Sequence, residues 1–109
     1  MTELSESDFH EHIDDTLIAI EEAIDEASLN IDYETSGDIL TLTFDDDSRI
    51  IINRQTPVRQ LWVAAKAGGF HFNYDNENGV WLHDADKEEL FQMLGRLCSQ
   101  QAGQNVNFN

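Results

Sequence analysis

Basic residues are scarce in this sequence: 6 Lys or Arg stand against 22 Asp or Glu, and there is one cysteine and one proline. Each shortage closes off a class. A lone thiol, Cys98, cannot form an intrachain disulfide, so the core alone must hold the fold, and a reducing, cytoplasmic setting is expected. One Cys and four scattered His offer no C-x-x-C or H-x-x-x-H pair, which argues against a structural zinc site. No apolar run approaches the ~20 residues of a membrane span. No basic segment followed by an apolar one opens the chain, so no secretory leader is expected. The net charge of −16 repels nucleic acid and anionic membranes, and attracts metal cations and basic protein surfaces. There is no Gly-rich phosphate loop, since Gly68-Gly69 reads as a turn, and no local nucleophile motif, so no enzyme is expected.

What is present fits one domain over residues 1–109, reading helix, strands, helix. A first helix is predicted from about Glu6–Asp8 to Ala27, capped by Ser5 or Ser7. Phe9, Ile13, Leu17, Ile20, Ile24 and Ala27 form its apolar face. Strands are predicted at Asn30–Thr35, Ile39–Phe44, Arg49–Gln55, Gln60–Ala65, Phe70–Tyr74 and Val80–Leu82. Turns fall at Ser36-Gly37-Asp38, Asp45–Ser48, Lys66–Gly69 and Asn76–Gly79, and Thr56-Pro57 interrupts the ladder. A second helix is predicted over Lys87–Ser99, with Asp86 and Glu89 as a capping pair and Leu90, Leu94, Leu97 and Cys98 on its apolar side. The Asn-rich end reads as a loosely packed tail. Short connections imply an antiparallel meander, with both helices on one sheet face and water on the other. The expected class is α+β, a two-layer α/β sandwich of about six strands.

Placed at about 100° per residue, Glu11, Asp14, Asp15, Glu21, Glu22, Asp25 and Glu26 share an arc of roughly 140° opposite the apolar face. Glu21–Asp25 and Glu22–Glu26 set like charges four apart, which weakens a helix with no structural return evident. Two readings stand: a solvated charged face, or several weak, partly hydrated sites for a hard cation such as iron. In the second, His10 lies at the margin beside Asp14, and Asp32 and Glu34 extend the surface from the first strand. On the fourth strand, Leu61 and Val63 are the natural core pair, which turns Trp62 outward among Asn53, Gln55 and Gln60. That suits a protein-binding anchor, while the opposite register would bury Trp62 beneath a helix.

Ile50-Ile51-Ile52-Asn53-Arg54-Gln55-Thr56-Pro57, then Gln60-Leu61-Trp62, Gly68-Gly69-Phe70-His71-Phe72 and Trp81, resemble the bacterial branch of the frataxin family. The resemblance runs from Ser7-Asp8-Phe9-His10 through Ile20-Glu21-Glu22 to Gln101-Ala102-Gly103, with little carried by Asp45–Ser48. It implies an α-β-sheet-α sandwich and an iron-binding acidic ridge. His10, Glu21, Glu22 and Asp25 fall on ridge or histidine positions, and Glu26 keeps the charge. Asn53, Gln55 and Trp62 match the exposed sheet surface. The implied partners are a cysteine desulfurase and the scaffold protein on which iron–sulfur clusters are built, and Glu21, Glu22 and Asp25 are also expected to face them. The implied role is iron-responsive regulation of cluster biogenesis, or alternatively iron delivery to the scaffold. Iron, as Fe2+ or Fe3+, is expected to bind weakly and reversibly, other cations are expected to substitute, and the metal-free chain is expected to be a monomer. An iron-storage enzyme would need Glu-x-x-His pairs, which are missing.

Overall fold

Apolar periodicity and capping place the first helix as the sequence predicts. In the computed structural model, which describes residues 4–27, 30–106 and 108, α1 spans Glu6–Ala27. The side chain of Ala27 lies outside the described residues, so its place on the apolar face is left open. Ser5, not Ser7, is the cap: its Oγ accepts the Asp8 N–H at 3.1 Å, and its carbonyl accepts the Phe9 N–H at 2.8 Å. Phe9, Ile13, Leu17, Ile20 and Ile24 are all buried.

The strands follow as β1 (Asp32–Ser36), β2 (Ile39–Thr43), β3 (Arg49–Gln55), β4 (Gln60–Ala65), β5 (Gly68–Asp75) and β6 (Val80–His83). They pair in chain order as one antiparallel six-stranded meander. A 3-10 turn, Thr56–Val58, carries Pro57 between β3 and β4, where no ladder hydrogen bond is lost. Gly68 and Gly69 pair with Ala65 and Ala64, so the predicted turn Lys66–Gly69 shrinks to Lys66-Ala67.

Register sorts the side chains. Leu40, Leu42, Ile50, Ile52, Leu61, Val63, Phe72 and Trp81 face the helices and are buried. Trp62, on the opposite parity, pairs with Asn53 and His71 on the open face, so Leu61 and Val63 are the core pair. Trp81 closes the α1 side: it meets Phe9 and Tyr74 edge-on at 6.1 and 5.1 Å, and its indole N–H donates to Thr16 Oγ1 at 3.0 Å.

The last helix, α2, spans Leu90–Ala102 and starts three residues later than predicted. Pairing continues past β6, through the Leu82–Glu89 bridge and the His83 N–H to Glu88 carbonyl bond, so residues 87–89 cannot yet turn helical. Glu89 becomes the N-cap, accepting the N–H groups of Phe91 and Gln92. Asp86 instead accepts the Glu88 N–H within the preceding turn.

Among the described residues of the C-terminal segment, Val106 and Phe108 depart from the loose packing that its composition suggests. Both are buried, and Ser99 Oγ accepts the Val106 N–H at 2.8 Å while its own proton faces the Gly95 carbonyl at 2.7 Å and the Val106 carbonyl at 3.2 Å. The segment packs directly over Gly95, where a Cβ would sit in contact with the Val106 carbonyl oxygen, 3.4 Å away. Cys98 is fully buried on the same helix, and burial pushes its thiol up to about 12. It is a structural thiol and not a nucleophile.

Candidate functional site

The first half of α1 meets β3, β5 and β6 and its second half reaches β1, so its carboxylates divide by direction. Glu21 and Asp25 lean toward β1: Thr35 Oγ1 donates to Glu21 at 2.6 Å, and the Tyr33 hydroxyl donates to Asp25 at 2.9 Å. The Asp25 hydrogen bond, then desolvation and the Asp25 and Glu21 charges, hold the Tyr33 phenol above its ordinary 10.0. Neutral hydroxyls thus orient these acids without neutralising them. Glu22 and Glu26 lean the other way, toward α2, and border a groove with Phe91 and Phe108. Among the described residues, none of these four carboxylates meets a Lys, Arg or His.

His10 and Asp14 form a separate station. They lie eleven and seven residues before Glu21, about 16 and 10 Å along the helix. Arg54, on the helix-facing side of β3, reaches both: Nη2 donates to Asp14 at 2.6 Å, and Nη1 lies 2.8 Å from His10 Nδ1. A guanidinium only donates, so Nδ1 is the acceptor and the ring proton sits on Nε2, 3.7 Å from Glu6. Arg54 Nε is buried without a hydrogen-bond partner and stands 3.9 Å from Asp38. A cation at His10 must displace Arg54 or the Nε2 proton.

Asp32 and Glu34 do not join the helix carboxylates. They pair with Thr43 and Thr41 on the open face of the sheet, while Tyr33 and Thr35 take the helix side. The two-residue period decides this. Among the described residues, no three His, Cys, Asp or Glu side chains converge on a point that could hold an ion. The donors suit a hard, hydrated cation held by a charged surface, not one enclosed in a cage.

The open face is organised around Trp62. Its ring stacks on His71 with centroids 4.3 Å apart and planes 11° from parallel. The indole N–H donates to Gln60 Oε1 at 2.8 Å, and Gln60 Nε2 donates to Asn73 at 3.1 Å. Asn53 lies opposite Trp62 and Gln55 opposite Gln60. With the indole N–H satisfied and the ring held by a stack, Trp62 presents a rigid, half-buried aromatic surface ringed by amides.

Residues 2–104 match the model of the frataxin-like domain. The chain belongs to the frataxin-like family. It is 44% identical over 105 residues to the "Iron-sulfur cluster assembly protein CyaY" of Pseudomonas aeruginosa, covering 96% of this chain and 97% of that one. The protein of the same name from Pseudomonas syringae pv. tomato is 45% identical over 106 residues, covering 97% and 96%. Among solved structures, frataxin from Psychromonas ingrahamii superposes with a TM-score of 0.89 at 34% identity, over 96% of this chain and 98% of that one. Trimeric yeast frataxin, solved complexed with ferrous iron, gives 0.62 at 25% identity, over 95% and 91%.

Within this frataxin fold, sequence reasoning did not single out Arg54, Tyr33, Thr35 or His71. Arg54 had a usable signal. It shares parity with Ile50 and Ile52, and a cation on the core side of an inner strand requires an acid from the covering helix. His71 was implied by the same register that turns Trp62 outward, since the two strands pair through short loops.

Proposed function

We propose that this frataxin-like protein binds iron weakly along α1, docks on the iron–sulfur cluster assembly machinery, and regulates cluster biogenesis in response to iron. The partners are a cysteine desulfurase and the cluster scaffold, and the setting is the cytoplasm. One observation carries the reading: Glu21, Glu22, Asp25 and Glu26 hold their charges with no cationic partner among the described residues. Charge kept unpaired at a helical like-charge penalty is available for something outside the chain. The names of the Pseudomonas relatives and the ferrous complex of the yeast protein support the assembly role and the iron.

The physical sequence is short. The acidic surface raises the encounter rate with a basic partner. The Trp62 face supplies contact area that slows dissociation. Iron bound at the carboxylates, as Fe2+ or Fe3+, lowers their net charge and changes how tightly the complex holds. The metal here is an effector and cargo, exchanging with solvent and replaceable by other cations.

The test is desulfurase turnover and cluster formation with the metal-free and the iron-loaded protein. Metal-free protein that alters turnover by itself, with iron modulating the effect, supports regulation. An effect seen only with preloaded iron, and proportional to it, replaces regulation by iron delivery to the scaffold.

A further inference from the structure

Glu22 and Glu26 differ from the other two ridge acids in what lies beside them. They rim a groove of about 280 Å3 between α1 and α2, lined also by Ala19, Ala23, Phe91 and Phe108. The alanines keep the α1 wall low. Phe108 is brought in by the C-terminal segment that Ser99 anchors, and Phe91 comes from the first turn of α2. The groove therefore has an apolar, aromatic floor and two acids on one rim, four residues apart with Cβ atoms about 6 Å from each other. Neither carboxylate has a hydrogen-bond donor or cation among the described residues, whereas Glu21 and Asp25 each accept a hydroxyl.

These features select an occupant. A purely apolar segment would desolvate the two acids without compensation. A bare metal ion would gain nothing from two phenylalanine rings. A lysine ammonium satisfies the rim but prefers its water to an aromatic face. A guanidinium does both: its planar cation stacks on an aromatic ring, its donors fork toward carboxylates, and its aliphatic stem covers apolar floor.

We propose that the α1–α2 groove is a socket for an arginine side chain of a protein partner, with Glu22 and Glu26 pairing its guanidinium, the half-buried Phe91 ring receiving its face, and the buried Phe108 closing the floor beneath its stem. The proposal rests on the docking reading above and gives Glu22 and Glu26 a different task from Glu21 and Asp25. The ridge then works on two sides, toward the β1 edge with oriented acids and toward α2 with a shaped pocket.

The experiment is a titration of the full chain with a blocked Gly/Ser hexapeptide carrying one arginine, and with its lysine counterpart, followed by amide chemical shifts. The arginine peptide is expected to shift Ala19, Glu22, Ala23, Glu26 and Phe91 and to bind about threefold tighter than the lysine peptide. Phe91→Leu keeps the apolar volume and is expected to remove that preference; a thermal melt checks that it folds. Glu22→Gln with Glu26→Gln is expected to weaken the arginine peptide about tenfold. Equal affinity for both peptides, shifts spread evenly over Glu11, Glu21 and Asp25, or no effect of Phe91→Leu would overturn the socket and leave diffuse attraction. Binding of purified desulfurase, run beside it, separates the two claims. Desulfurase bound with a silent groove sinks only the socket. Peptide in the groove with no desulfurase bound sinks the docking reading.

Discussion

Replacing Arg54 should do two things at once, weaken the fold and open the N-terminal half of the ridge to metal. The Arg54 side chain is 12% exposed, while its Asp14 partner is 60% exposed. That ion pair is solvent-screened and contributes under ~1 kcal/mol. The hydrogen bond to His10 adds about 1 kcal/mol. The buried Nε without a partner works against both. Arg54→Met keeps the apolar stem and loses the hydrogen bonds, so the net loss is about 1 kcal/mol, and Arg54→Ala loses the stem as well, about 2 kcal/mol. For a domain of this size these correspond to roughly 5 and 10 °C in Tm. The same substitution frees His10 Nδ1 and Asp14, one helical turn apart. Titration with Mn2+, followed by residue-resolved NMR broadening, should centre on Glu21, Glu22, Asp25 and Glu26 in the parent. It should extend to His10 and Asp14 in Arg54→Met. If the parent broadens His10 as strongly as Glu22, or if Arg54→Met leaves both Tm and the His10 signals unchanged, the role given to Arg54 is wrong.

Three further outcomes are expected. Net −16 implies self-repulsion, so the melting temperature should rise with ionic strength and with divalent cations; Glu22→Gln with Asp25→Asn should stabilise by several tenths of a kcal/mol and shrink the cation effect, and a flat salt profile would contradict this. Leu61→Asp puts a charge at a fully buried position and should prevent cooperative folding, whereas Trp62→Ala should leave a normal circular dichroism melt; the reverse pattern would invert the sheet register. The Tyr33 phenol should titrate above its ordinary 10.0, and Asp25→Asn should bring it back. Its folded value is raised, so the Tyr33–Asp25 contribution is fully present below pH 10.0 and fades as pH climbs through the folded value, measurable by ultraviolet titration of the phenolate beside a melt series.

Where local chemistry and burial agree, the sequence was readable. The five buried α1 positions, the bounds of β3 and β4, and the outward turn of Trp62 follow from periodicity, since Leu61 and Val63 lose more outside the core than Trp62 does. Where one local signal serves two structures, it was not. Asp86 and Glu89 are both capable caps, and only the pairing beyond β6 decides between them. Gly68-Gly69 suits a turn or a strand equally well until Ala64 and Ala65 claim it. The tail looked loose because its composition is polar, and only the tertiary contacts of Ser99 and Gly95 make Val106 and Phe108 core residues. In the candidate site, the arc of acids was legible from helix geometry. Its division was not, because it depends on tertiary placement: on where β1 lays Tyr33 and Thr35, and on Arg54 and Phe91, which reach α1 from elements far along the chain.

The central claim is that an acidic ridge and a Trp62 face act together in docking, and binding kinetics with purified cysteine desulfurase test it most directly. Reversal of Glu21, Glu22, Asp25 and Glu26 to lysine should lower the association rate and abolish its dependence on salt. Trp62→Ala should leave association nearly unchanged and speed dissociation, with a loss on the order of 2 kcal/mol. Association that is insensitive to salt and to the four reversals, with dissociation unchanged in Trp62→Ala, would contradict the account.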